Sequence, residues 1–141
     1  MTLVVVDASV AFKWFVEEPG ADAASKLRSA EYQLCAPEIL PIELAHGLRR
    51  RVLRGIADRG EARAAVSVLG KLPVVLVPSG NLLGDAFELA ISHHRGVYDA
   101  LYVVLAARLG CQLVTADRKL HAAVAGAFPK TVVLLSDFSA A

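Results

Sequence analysis

Apolar residues fall along this chain in two patterns. Short, nearly continuous runs alternate with longer stretches in which apolar positions recur at helical spacing. The runs are Leu3–Val6, Gln33–Ala36, Val74–Val77, Gln112–Thr115 and Thr131–Leu135, rich in Val and Leu. Runs that are apolar on both faces predict strands covered from both sides. The stretches between them predict helices over Val10–Val16, Ala21–Ala30, Pro37–Arg54, Asp58–Leu69, Leu82–His93, Asp99–Leu109 and Lys119–Ala125. Pro19-Gly20, Gly55, Pro78-Ser79-Gly80, Gly96 and Gly110 punctuate them. Pro41 falls early enough in its helix to be tolerated. This alternation predicts an α/β fold with a central, mainly parallel, short-stranded sheet flanked by helices and joined by right-handed crossovers. Ligands of such sheets collect outside the carboxyl ends of the strands.

With 141 residues, the chain is expected to form one domain, 1–141, without repeat or linker. A chain of this length buries about two-thirds of its unfolded surface and needs no disulfide or structural metal to fold. Cys35 and Cys111 form no Cys-x-x-Cys pair, which fits inert thiols in a reducing compartment. The segment Met1-Thr2-Leu3-Val4-Val5-Val6-Asp7 lacks the basic start of a signal peptide. No stretch reaches the ~18 uncharged apolar residues of a membrane span. A cytoplasmic protein without membrane contact is therefore expected.

Charge changes the picture more than composition does. Fifteen Lys and Arg oppose fourteen Asp and Glu, and with hydrophobic residues at 55% few places remain to bury a charge. Glu17, Glu18, Asp22, Glu31, Asp58 and Glu61 read as solvated. Four acids sit in apolar sequence instead: Asp7 after the first strand, Glu43 between Ile42 and Leu44, Asp99 before Ala100-Leu101-Tyr102-Val103, and Asp117 after the fourth strand. A buried carboxylate is costly unless paired or bound to a metal. In a parallel sheet Asp7 and Asp117 emerge on the same edge. Each acid also has a local role open to it. Asp7 and Asp99 are candidate N-caps, Asp117 a turn former beside Arg118 and Lys119, and Glu43 the edge of a helix stripe. Asp85 and Asp137 look similar locally, so spacing nominates the four without selecting them.

Four blocks together carry a resemblance. They are Val5-Val6-Asp7-Ala8-Ser9; Glu43 within Pro41–Arg50; Tyr98-Asp99-Ala100-Leu101-Tyr102; and Leu113-Val114-Thr115-Ala116-Asp117. In order and spacing, over essentially the whole chain, they resemble the PIN-domain ribonucleases, and within them the VapC toxins of toxin–antitoxin pairs. The resemblance implies a compact α/β sandwich whose acids, here Asp7, Glu43, Asp99 and Asp117, gather around Mg²⁺ or Mn²⁺ to cleave single-stranded or loop RNA. It also implies an antitoxin partner and a homodimer. His46 departs from it, standing where similar toxins often carry Asn, and reads as a helix-face residue.

The residue types suit that chemistry. Mg²⁺ prefers oxygen ligands, whereas His and Cys would suit zinc. Such a cation polarises a phosphate and lowers the pKa of water. Ser9 and Thr115 lie beside two of the acids, with water or phosphate orientation and local capping both open to them. Arg49, Arg50, Arg51 and Arg54 on the Glu43 helix, with Arg118 and Lys119, suit RNA phosphates, an acidic partner, or a solvated face. Phe12, Trp14 and Phe15 read as core or a partner groove. Two other classes compete. One is a phosphate-accepting signalling or phosphatase domain, against which Asp7 lacks both a paired acid and an Asp-x-Asp motif. The other is a catalytically silent adaptor, which would not need all four acids. If four of the fourteen acids serve a metal, the outer surface is more basic than the formal +1. The metal reading predicts that saturating Mg²⁺ or Mn²⁺ raises the melting temperature by mass action on the folded state; an unchanged midpoint in a thermal scan counts against it.

Overall fold

Val4, Val5 and Val6 have almost no exposed surface, and the strand they end, β1 (Thr2–Val6), lies at the middle of the molecule. The computed structural model describes residues 1–138, so the last three of the expected domain lie outside it. In chain order β1 is followed by α1 (Ala8–Ala11), α2 (Ala21–Lys26), β2 (Tyr32–Pro37), α3 (Leu40–Leu53), α4 (Arg59–Val68) and β3 (Val74–Val77). Then come α5 (Leu83–His93), α6 (Val97–Leu109), β4 (Gln112–Thr115), α7 (Arg118–Val124), β5 (Val132–Leu134) and α8 (Leu135–Phe138).

The five strands form one sheet in the order β3-β2-β1-β4-β5, and every pairing is parallel. The chain winds outward from β1 through β2 to β3, then returns to add β4 and β5 on the other side. The order therefore reverses between β1 and β4, where Val6 pairs with Val114. A crevice at the carboxyl ends of strands at such a reversal is where open parallel sheets bind ligands.

The expected strands are all present, with β5 a residue shorter at each end. Helix boundaries moved more. The first predicted helix is one α-turn continued by a 3₁₀ turn, Phe12–Trp14, and the second stops at Lys26. Pro37 belongs to β2 rather than to the helix, because it pairs with Val77. α6 starts at Val97, two residues before Asp99, and α8 is a helical turn that the pattern did not predict. Ala100 to Ala106 of α6 are all buried, and the helix contacts β1, β2 and β4 as well as α5. Among the described residues, no helix is long and apolar enough to cross a membrane.

Phe12 is partly buried and packs against Gly47 of α3, where an added Cβ would lie 2.9 Å from the Phe12 ring. This close approach brings α3, and Glu43 on it, against the start of the chain. Gly47→Ala should lower the urea midpoint, because overpacking of about 1–3 kcal/mol outweighs a helix-propensity gain of about 1 kcal/mol. An unchanged midpoint would mean that the ring yields freely.

Candidate active site

Asp7 is 6% exposed at the carboxyl end of β1. Its Oδ1 accepts hydrogen bonds from the Val10 amide (3.2 Å) and the Ser9 hydroxyl (2.5 Å), and its Oδ2 accepts one from Thr115 Oγ1 (2.5 Å). Asp7 is thus the N-cap of α1 and also joined to β4, so the capping and site roles coincide. Two backbone amides complete the network. Ala116 N–H donates to Ser9 Oγ (2.9 Å) and Asp117 N–H to Thr115 Oγ1 (3.0 Å). Ser9 and Thr115 are therefore more than local caps: they tie the ends of β1 and β4 together through one carboxylate.

Burial pushes the Asp7 carboxyl up to about 6, against the opposing pull of its hydrogen bonds, and the Asp99 charge adds to the rise. The two hydroxyl oxygens lie 3.3 Å apart. With Asp7 ionised, both hydroxyl protons point at it and none lies between them. A proton on Asp7 reverses one of these bonds, and the freed hydroxyl can turn to fill the 3.3 Å contact.

Glu43 faces the same region from the first turn of α3. Tyr102 donates a hydrogen bond to its Oε1 at 2.6 Å. Burial raises the Glu43 carboxyl, this hydrogen bond lowers it, and the charges of Asp99 and Asp7 raise it again. Those couplings place Asp7, Glu43 and Asp99 in one electrostatic field. Tyr102 is 1% exposed, and burial beside Glu43 lifts its hydroxyl well above the usual range, so it serves as a fixed donor.

Asp99 does not cap its helix, since Gly96 holds the N-cap position of α6. It stands in the first turn, where the helix dipole favours an anion. Asp117 does cap α7, accepting from Leu120 N–H at 3.0 Å. Its ionic partner is Arg95, at 3.6 Å, rather than Arg118 or Lys119. The same Arg95 Nη2 is 2.9 Å from Asp99 Oδ2. Asp85 pairs with Arg108 instead, at 2.8 Å, and Asp137 is exposed on α8.

The oxygen-rich donor set suits a hard divalent cation. No three His, Cys, Asp or Glu groups among the described residues stand close enough together to hold a metal ion, and Arg95 contacts two of the carboxylates. A cleft of about 520 Å³ adjoins the acids, lined by Ser9 and Glu43 and by Arg50, Arg51 and Arg54. Arg49 and His46 are exposed and absent from this lining, and Arg118 lines a separate cavity of about 290 Å³. The expected arginine set thus divides, with Arg50, Arg51 and Arg54 lining the cleft and Arg49 outside it. Trp14 is held in the fold, donating to Ala24 O at 2.9 Å under the Arg28 guanidinium. Burial raises both thiols, as expected of inert cysteines. Two site residues escaped the sequence reading. Tyr102 lies one helical turn after Asp99, and Arg95 lies four residues before it, a spacing that pairs charges on a helix.

The PIN domain family matches residues 4–126. Ribonuclease VapC9 of Mycobacterium tuberculosis is 35% identical over 131 residues, covering 93% of this chain and 98% of that protein. Ribonuclease VapC3 of Pyrobaculum aerophilum is 34% identical over 119 residues, covering 83% and 91%. Among solved structures, a Pyrobaculum aerophilum protein superposes with a TM-score of 0.72 at 21% identity, covering 96% of this chain and 85% of its own. The Mycobacterium tuberculosis toxin VapC20, described as cleaving the sarcin-ricin loop, gives 0.68 at 19% identity, covering 85% and 94%. The chain belongs to the PIN-domain family, and the relatives it matches over most of its length are VapC ribonucleases.

The buried carboxylate has a pH signature. Asp7 has a higher pKa folded than its ordinary 3.8, so the native state binds the extra proton. Its contribution to stability is full below pH 3.8 and is lost as pH rises through about 6. Without metal, Asp7→Asn should gain stability over the wild type, by up to about 3 kcal/mol above pH 6.5, with the gap closing toward pH 4. Urea titrations in chelator check this, and a pH-independent gap would contradict it.

Proposed function

We propose that this chain is a divalent-metal-dependent endoribonuclease toxin that cuts single-stranded or loop RNA and is silenced by a cognate antitoxin. The observation that carries the reading is the set of acids at the reversal of the sheet. The charge of Asp99 raises the proton affinity of Asp7, and the charges of Asp99 and Asp7 raise that of Glu43, a field that a cation relieves. The VapC relatives support the reaction class.

Asp7, Glu43, Asp99 and Asp117 would hold Mg²⁺, or Mn²⁺ in its place. When bound, the cation polarises the scissile phosphate and neutralises charge on the leaving oxygen. Ser9 and Thr115 fix the orientation of Asp7. Tyr102 anchors Glu43 through Oε1, leaving Oε2 to take a proton from the attacking water. Arg50, Arg51 and Arg54 line the cleft beside these acids and suit the flanking phosphates of an RNA strand or an acidic antitoxin segment. Leu83, Phe87 and Ile91 form an exposed stripe along α5, which supports a homodimer.

Incubation with a mixed RNA pool and Mg²⁺ or Mn²⁺ tests the reading. Cleavage is expected to stop in chelator and to fall by roughly a hundredfold or more in Asp7→Asn and Asp99→Asn. Equal cleavage by both variants would assign the activity to a contaminant. A stable phosphoprotein formed from a small phosphodonor would favour a phosphate-accepting domain instead.

A further inference from the structure

Arg95 stands where the acids come together, on a turn too short to be there by chance of loop conformation. α5 ends at His93, and His94 adopts the left-handed conformation (φ 54°). The Arg95 amide then donates back to Ala90 O at 3.1 Å, and Gly96 caps α6. The backbone is pinned between two helices, so the guanidinium alone is free to move. One of its nitrogens, Nη2, contacts the Oδ2 atoms of both Asp99 and Asp117. The Asp99 contact follows from the i,i+4 spacing. The Asp117 contact does not, because that residue comes from the β4–α7 junction.

We propose that Arg95 is an internal stand-in cation, holding Asp99 and Asp117 together before the metal enters and competing with it for both carboxylates. The inference rests on the metal-site reading above. A guanidinium is a cation with only donors, so its charge beside the Oδ2 atoms of Asp99 and Asp117 repels a divalent cation from them. Two observations say that the hold is breakable. All three side chains are a fifth to a third exposed, at 22% for Arg95, 35% for Asp99 and 34% for Asp117, where ion pairs are weak. The Arg95 Nε is buried with no hydrogen-bond partner among the described residues, so the resting position leaves a donor unsatisfied. Displaced by the metal, the guanidinium can satisfy that donor in solvent or on a phosphate. Metal affinity is then set partly by this residue and not by the acids alone.

Calorimetric titration of the purified, chelator-treated protein with Mn²⁺ tests this directly, without RNA. Arg95→Gln is expected to bind Mn²⁺ roughly three- to tenfold more tightly than the wild type. Its melting temperature without metal should be lower, and its gain on adding Mn²⁺ larger. Arg95→Lys, which keeps the charge and loses the fork, should fall between them, and it carries the test if Arg95→Gln fails to fold. Arg118→Gln removes a charge outside this contact and should change affinity less than twofold. Wild-type binding with Arg95→Gln no tighter overturns the inference and leaves the metal site standing. Equal tightening in Arg118→Gln also overturns it, by reducing the effect to net charge. If neither wild type nor Arg95→Gln takes up Mn²⁺, the metal-site reading and the inference both fail.

Discussion

The structure turns on a carboxylate that has been taken out of water at the centre of a parallel sheet. Asp7 follows three buried valines, and it is tolerated there because each of its oxygens receives hydrogen bonds. Those bonds come from both sides of the point where strand order reverses. The carboxylate therefore acts as a structural cross-tie between β1 and β4 as well as a chemical group. Thr115, with no exposed surface, donates to Asp7 while its oxygen receives the Asp117 amide, so the positions of two candidate ligands are fixed by one hydroxyl. Fully satisfied buried networks of this kind are rigid because every deletion orphans another member.

Around that tie, three different physical devices hold the four acids. Asp7 is held by hydroxyls, Glu43 by a buried phenol, and Asp99 and Asp117 by a guanidinium shared between them. The devices differ in strength. The first two are short hydrogen bonds in low-dielectric surroundings, whereas the third is a partly solvated ion pair. The contact most easily exchanged is therefore the one that Arg95 makes with Asp99 and Asp117, and the Asp7–Glu43 side is the preorganised one. The arginines of α3 add a basic wall to the cleft beside it, so a chain of nearly balanced charge presents its acids inward and its bases outward at this one place.

How much of this could be read from the chain follows from which interactions are local. The strands were legible because burial on both faces leaves unbroken runs such as Leu3–Val6, and the acids at strand ends stood out against them. Asp7 and Asp99 could be nominated as caps, but only Asp7 is one, while Asp117, legible as a turn former, caps α7. The helix starts were less legible. Pro37 was assigned to a helix because its strand role depends on pairing with Val77, a partner set by topology. The 3₁₀ turn at Phe12–Trp14 depends on contacts with α2 and α3 that no local pattern encodes. Tyr102 and Arg95 were missed for related reasons. Tyr102 looked like one more apolar position in a buried helix, and its hydroxyl acquires meaning only from Glu43, 59 residues earlier. Arg95 falls between the predicted helices Leu82–His93 and Asp99–Leu109, and its second carboxylate lies beyond the next helix and strand. Which arginines of α3 face the acids was likewise a matter of helix rotation, which placed Arg51 and Arg54 in the cleft and left Arg49 outside.

α6 is at once the most buried helix and the carrier of Asp99 and Tyr102. From Ala100 to Ala106 it has no solvent face on which sequence can drift neutrally. For a host burdened by the proposed activity, that makes α6 a short stretch where escape mutations come cheaply. A change at Asp99 or Tyr102 would silence the chemistry, and a bulky or polar change at a neighbouring position would deplete the folded protein. Populations released from such an enzyme should therefore accumulate lesions in this segment out of proportion to its length, some yielding inert but folded chains and others yielding no chain at all.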